Sequence, residues 1–301
     1  LRYTYEEKTL EPVGQQFFLP GGIPITPPLG GTQSEEEDWN EFSPRVGAQY
    51  YINDDLMVFG SYARGFKSGG FFGRITSGSN ITGFDPEEVE TFELGIKSDW
   101  WDNRLRLNAT LFSSDYTDKQ EDIIVADPNG NVDTVVLNAS DATMEGLEIE
   151  MTALLAEGLT MFLQYGYLDA EYEDFLIEDI PGVPEDGSTL DMRNAPENTF
   201  GIGLAYTHSL FSHSAMNYDV NYNWRDEYVT IFNNDPLGQK DSAGFWNANI
   251  DYVYKDNLTV SLYGRNLSDE RYFRAVLIPP ISSFGQWNEP RNYGVTVTYE
   301  F

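Results

Sequence analysis

Polar and apolar positions alternate with a period of two over most of this chain. In the last ten residues Tyr293, Val295, Val297, Tyr299 and Phe301 fall on one face, and Asn292, Gly294, Thr296, Thr298 and Glu300 on the other. A strand sends successive side chains to opposite faces, so this segment reads as a strand with one apolar and one polar side. The same pattern sets Met216, Tyr218, Val220, Tyr222 and Trp224 against Asn217, Asp219, Asn221, Asn223 and Arg225. It sets Leu147, Ile149 and Met151 against Glu148, Glu150 and Thr152. No segment of any length carries a helical period. The pattern predicts an all-β chain of about twelve strands, near 1–8, 42–52, 55–65, 87–101, 104–118, 134–155, 159–172, 197–208, 215–229, 245–255, 258–268 and 291–301.

Alternation alone does not separate a sandwich, with one face in a dry core, from a barrel. Segment length does: strands of roughly 9 to 15 residues exceed the usual 5 or 6 and match a tilted bilayer crossing. The connections also segregate. Short turns at 53–55, 102–103, 157–158, 209–214 and 256–257 alternate with long connections at 9–41, 66–86, 119–133, 173–196, 230–244 and 269–290. Short periplasmic turns against long extracellular loops are the habit of outer-membrane barrels. The expected architecture is therefore an antiparallel up-and-down transmembrane β-barrel in a single domain over 1–301. Its apolar face meets lipid, its polar face lines a lumen, and Phe301 lies at the periplasmic rim. Trp100, Trp101, Tyr50 and Tyr51 beside short turns fit a periplasmic aromatic girdle. Asp127-Pro128-Asn129-Gly130 reads as a hairpin tip, with flanking strands that run well beyond the membrane.

Composition removes some alternatives. Mean hydropathy is -0.42, and no apolar run approaches the roughly 18 to 20 residues of a membrane helix; a barrel escapes that need because only alternate residues face lipid. Asp+Glu 49 against Lys+Arg 18 gives a net charge of -31, which argues against nucleic acid as a partner. The acids read either as plain solubility and loop hydration or as acidic loops and lumen that favour cationic or metal-bearing solutes, and composition leaves both open. Without cysteine there is no disulfide framework and no thiolate metal site. Leu1 already reads as strand, so a leader peptide is expected upstream of it.

Several stretches carry a family resemblance. They are Tyr62-Ala63-Arg64-Gly65-Phe66-Lys67-Ser68-Gly69-Gly70-Phe71, Pro86-Glu87-Glu88-Val89-Glu90-Thr91-Phe92-Glu93-Leu94-Gly95-Ile96-Lys97, and Asn138-Ala139 with Glu145-Gly146-Leu147-Glu148. Gly264-Arg265-Asn266-Leu267-Ser268-Asp269-Glu270-Arg271-Tyr272 and the closing Tyr293-Gly294-Val295 with Tyr299-Glu300-Phe301 complete the set. In that order the chain resembles the barrel of a TonB-dependent outer-membrane receptor. The resemblance implies active transport of a ferric siderophore or similar scarce solute across the outer membrane of a Gram-negative bacterium, energised by the TonB complex. It also implies a barrel of about 22 strands with a plugged lumen. No plug and no energy-coupling box precede the strands here, so the chain is expected to be the C-terminal part of such a barrel. Alone, its sheet would leave two unpaired edges, which a bilayer does not tolerate.

Candidate chemistry is that of binding. The only histidines, His208 and His213, flank a predicted periplasmic turn, and Glu148 and Glu150 share a strand face without a convergent acid, so no catalytic residue, cofactor or metal ligand is assigned. By the resemblance, ligand contacts come from the outer loops and upper wall: Phe66, Phe71, Phe72, Arg74, Tyr228, Phe232 and Trp287, whose rings and guanidinium would stack on and pair with a planar or anionic chelate. Inward-facing Arg106, Arg225 and Arg265 suit either plug contacts or lumen ion pairs. Phe301 resembles the terminal aromatic that the outer-membrane assembly machinery reads. Two other classes stay open: a self-contained twelve-strand channel or membrane-embedded hydrolase, and a soluble β-rich binding module.

Overall fold

The computed structural model describes residues 1–11, 18–19, 23–24, 34–71, 83–126, 132–175, 186–231, 236–255, 257–277 and 284–301. Among them every extended element is a strand and none is a helix. The long strands are β1 (Arg2–Leu10), β2 (Glu35–Ser43), β3 (Arg45–Asn53), β4 (Leu56–Lys67), β5 (Glu87–Trp100), β6 (Leu105–Ala126) and β7 (Val132–Ala156). They continue as β8 (Leu159–Phe175), β9 (Asn198–Phe211), β10 (Ser214–Arg225), β11 (Ala243–Tyr254), β12 (Leu258–Arg265) and β13 (Asn292–Tyr299).

Strands β3 to β13 form one eleven-stranded antiparallel sheet in which each strand pairs with its neighbours in chain order. All twelve expected strands are present. The first, β1, pairs outside the large sheet with β2, a segment that the sequence pattern assigns to a loop. Four consecutive acids, Glu35 to Asp38, have poor intrinsic strand preference. Pairing overrides it: Lys8 faces Glu37 and Thr9 faces Glu36 across the ladder. Pro44, between β2 and β3, accepts the Arg64 N–H at 2.9 Å and passes the hydrogen-bonding on to β4. Strands β3 and β13 are the two edges and pair with nothing beyond themselves among the described residues.

The register fixes the faces. Ile202 lies opposite Tyr222, which lies opposite Trp246, and Ile250 lies opposite Leu262, which lies opposite Val295. One row away, Gly203 faces Asn221, Asn221 faces Asn247, and Asp251 faces Ser261. Among the described residues no protein layer covers the apolar side: Leu94 is 62% and Leu111 54% exposed. This is the face that an outer-membrane wall turns to hydrocarbon.

The short turns all fall at one end. Trp101, Asp102, Asn103, Gly158, His213 and Lys255 adopt positive φ there, the backbone that tight hairpins need to match strand twist. Gly158 is required, since a Cβ would come within 2.1 Å of the Thr207 carbonyl oxygen. Exposed Tyr50, Tyr51, Trp100 and Trp101 ring this end, and Phe301 packs edge-on against Tyr299 at 5.0 Å. His208 departs from the expected turn. Strand β9 runs on to Phe211, and the imidazole stacks between Tyr206 and Tyr218 at 5.3 and 5.8 Å, joining the outward aromatic row.

At the opposite end β6 and β7 are 22 and 25 residues long, against the roughly 10 that a tilted crossing needs, so their hairpin projects far past the wall. The expected tip at 127–130 lies outside the described residues, but both flanking strands extend as predicted. A bulge at 116–120 carries β6 into what the sequence pattern assigns to a connection. There a small core forms, in which Ala142, Tyr172, Phe175, Leu190 and Met192 are buried together.

Candidate functional site at the outer end

Three devices shape the end that bears the long connections. The first is a buried ion cluster under the projecting hairpin. Glu121 pairs with Lys119 on its own strand and with Arg193 from the connection after β8, while the Tyr172 hydroxyl donates to its Oε1 at 2.8 Å. Arg193 also pairs with Asp122 at 2.9 Å. Burial alone would raise the Glu121 carboxyl, yet the two cations hold it below its ordinary value. Tyr172 is pushed up by burial and by the Glu121 charge, so it stays a donor. The cluster fastens residues 186–195 to the hairpin.

The second device is a turn framed by two buried asparagines. Asn266, at positive φ, donates to the carbonyls of Glu270 and Glu289 and accepts the Glu270 N–H. Asn288 donates to the same Glu270 carbonyl and accepts the Tyr272 N–H at 3.1 Å. Asp269 accepts the Arg291 N–H, which with Arg271 and Arg291 nearby holds its carboxyl below the ordinary range. This gives the stretch from Gly264 to Tyr272 a physical role: it fixes Tyr272 at the rim.

The third device is what Tyr272 covers. Arg225 ends β10 on the polar face, and its guanidinium lies 4.4 Å from the Tyr228 ring and 4.7 Å from the Tyr272 ring. Tyr272 rests edge-on against Phe245. Tyr228 lies opposite Lys240 in a two-rung ladder, Lys240 lies under Phe273 at 6.0 Å, and Phe273 packs on Trp287 at 4.1 Å. Lys240 is 3% exposed, and burial together with the Arg225 charge pushes its ammonium below the usual lysine value. Neither Lys240 Nζ nor the terminal nitrogens of Arg225 has a hydrogen-bond partner among the described residues.

Of the residues expected to touch ligand, the structure gathers Tyr228 and Trp287 into this cluster. Phe66, at the end of β4, and Phe71, bridged to Gly83, belong to the β4–β5 side of the sheet, with strands β5 to β10 between it and this cluster. Phe72, Arg74 and Phe232 lie outside the described residues. The three inward arginines part company: Arg106 pairs with Asp99 at 2.8 Å, Arg265 stacks on Tyr263 at 5.7 Å, and Arg225 is held by rings. Glu148 and Glu150 point to the lumen side, opposite Thr110 and Asn108, without converging on another acid. Lys240, Tyr272 and the Glu121 cluster escape the sequence pattern, because their partners come from connections whose path alternation does not encode.

The family described as TonB dependent receptor-like, beta-barrel, matches residues 1–267. The chain belongs to this family. It is 25% identical over 276 residues to the ferric-pyoverdine M114 receptor PbuA of Pseudomonas sp. strain M114, covering 90% of this chain and 31% of that protein. It is 26% identical to the probable TonB-dependent siderophore receptor PiuA of Acinetobacter baumannii, over 76% of this chain and 30% of that one. Among solved structures, the ferric yersiniabactin uptake receptor FyuA of Yersinia pestis superposes with a TM-score of 0.74 at 18% identity, over 99% of this chain and 42% of that one. The chain thus spans about a third of the length of these curated relatives, and what it shares is the wall of an outer-membrane barrel.

Proposed function

We propose that this chain is the C-terminal wall of a receptor that takes up a ferric siderophore or a similar iron chelate, driven by the TonB complex acting through a plug region beyond these residues. The observation that carries the reading is the combination of a strictly neighbour-paired sheet, polar on one face, with a ring-and-cation cluster at its outer mouth. Relatives named as ferric-pyoverdine and siderophore receptors supply the ligand class. The work done is binding and passage, with no bond made or broken in the solute. Phe66, Phe71, Phe72, Arg74, Tyr228 and Trp287 are the side chains we assign to ligand contact, and Phe301 is the assembly signal.

The test is uptake of radiolabelled ferric chelates by iron-starved cells that carry or lack the gene. Accumulation that needs both the protein and the proton gradient supports the reading. Equal uptake in the deleted strain, across catecholate, hydroxamate and mixed chelates, overturns it.

A further inference from the structure

Phe66 and Phe71 stand far along the sheet from Tyr228, yet one irregularity of β6 reaches both places. The register of β6 on β7 slips between Tyr116 and Gln120, with Asp118 at positive φ. A bulge re-aims the side chains around it. Here it is followed by Gln120 and Glu121, only 8% and 1% exposed, and consecutive residues of a strand point to opposite faces.

Gln120 reaches the β4–β5 connection. Its Nε2 donates to the Ser68 carbonyl at 3.1 Å and to the Asp85 carbonyl at 2.9 Å, while its own N–H donates to Glu87 Oε2 at 2.8 Å. Asn138, its partner across the ladder, accepts the Asp85 N–H and donates to the Asp85 carbonyl, both at 2.7 Å. Ser68 precedes Phe71 and Asp85 follows it, so the connection is held to β6 from either side of that ring.

Glu121 reaches the other way. It pairs with Arg193, whose backbone bridges Val229, and the next N–H, that of Asn194, donates to the Val229 carbonyl at 2.8 Å. Val229 is 5% exposed and adjoins Tyr228, whose ring lies on Arg225. Polar contacts made in buried places are expensive to break, so neither Gln120 nor Glu121 gives way readily. A shift of one segment is therefore felt by the other through two adjacent residues.

We infer that Gln120 and Glu121 are positioning residues, which hold the connection bearing Phe71 and the segment bearing Tyr228 in one fixed relation. A solute that touches one group then finds the other already placed, and less of its binding is lost to ordering. This rests on the reading of those side chains as ligand contacts. The coupling itself belongs to the protein without solute and is tested there.

Coupling is demonstrated when a change at one end is read at the other. The test uses the intact receptor in detergent, with amide hydrogen exchange read by mass spectrometry on peptides that contain two reporters. One is the Asp85 amide, held by Asn138, and the other is the Asn194 amide, held by Val229. Gln120→Met keeps the side-chain length and removes the donors. It breaks no bond of residues 186–195, yet exchange at Asn194 is expected to rise about tenfold, the effect of one buried hydrogen bond on a local opening. Glu121→Gln keeps the shape and removes the charge, and it is expected to raise exchange at Asp85 to a similar degree. In the double variant the two effects should fall short of adding, because both open one junction. Strands β9 to β13 of the wall should keep their protection.

Responses confined to the near side of each substitution overturn the inference, and so do fully additive ones. Equal loss of protection throughout the wall also overturns it, since the two residues would then be a plain prop for the fold. Should melting curves show that Gln120→Met has failed to fold, Glu121→Gln with the Asp85 reporter decides alone. Coupled exchange in a protein whose cells take up no chelate would remove the transport reading and leave the junction standing.

Discussion

On the closing strand Val295 and Val297 are 66% and 64% exposed, with no protein over them, while at the outer end Tyr172 and Phe175 are 3% and 0% exposed. Of the eight buried apolar residues among those described, only Ala153 lies near the short-turn end. A soluble domain would show the reverse, with its core between layers and its loops bare. The wall therefore has no core of its own, because hydrocarbon fills that role. The outer end stands in water, and it must build a core and pair its charges as a soluble protein does. One chain obeys two solvents, and each region predicts a different response to substitution.

The largest effect is expected where the outer end follows soluble rules most strictly. Glu121→Ala leaves Lys119 without an acid and Arg193 with Asp122 alone, and breaking a buried pair from one side costs about 3–5 kcal/mol. The loss should be local: amides of residues 186–195 should exchange with solvent far faster, while the wall keeps its protection. Uniform loss of protection across β9 to β13 would show that the two regions are not separate. On the wall, one register step decides the outcome. Val295→Arg puts a charge on the apolar face, worth about 2–4 kcal/mol near the bilayer midplane, whereas Thr296→Arg turns the same charge to the lumen side and should cost little. Urea titration of the receptor in lipid vesicles compares the two; equal costs would sink the assignment of faces.

How far this division was legible beforehand depends on which force is involved. Alternation is written in the residues themselves, so the wall strands, the short-turn end and the girdle at Tyr50, Trp100 and Phe301 could be read directly. The pairing of Glu35–Ser43 with Arg2–Leu10 could not, because four acids in a row argue for a loop until a partner strand is in place. Tyr228 and Trp287 could be proposed as rim aromatics. Their convergence on Arg225 and Lys240 depends on the path of three connections, for which period-two patterning holds no signal. Asn266 lies between these cases. The stretch around it carries the family resemblance, yet its reason, a clamp on Tyr272, emerges only from the hydrogen bonds.

That clamp gives the next smaller effect. Asn266→Ala strands the Glu289 carbonyl and the Glu270 N–H and leaves the Glu270 carbonyl with Asn288 alone, at a cost of about 1–3 kcal/mol for buried groups left unpaired. Because the frame sits where wall and outer end meet, both should respond: the melting temperature should fall, and the Tyr272 ring should leave Arg225. Fluorescence of a tryptophan placed at Tyr272 reports the second; an unchanged spectrum beside a lowered melting temperature would mean that the asparagine braces only the turn.

The smallest effect is one of pH, and it separates the regions without substitution. In the folded protein the Glu121 carboxyl lies below its ordinary value, so its contribution is complete above the unfolded carboxylate value of about 4.3 and is lost as pH falls through the lower folded value. Between neutrality and about pH 5 the outer end should hold unchanged, and below about pH 4 residues 186–195 should loosen from the hairpin. Glu121→Gln keeps the shape but removes the titration, so its exchange rates at 186–195 should already be high at pH 7 and should barely rise on acidification. In the matched outward positions of β9 to β13, Ile202, Tyr222, Trp246, Ile250, Leu262 and Val295 include no carboxylate, and the protection of this row should stay level below about pH 5. If the wall loosens together with the outer end as acid is added, the hydrocarbon-facing sheet leans on the ion cluster for its stability, and the division between two solvents fails.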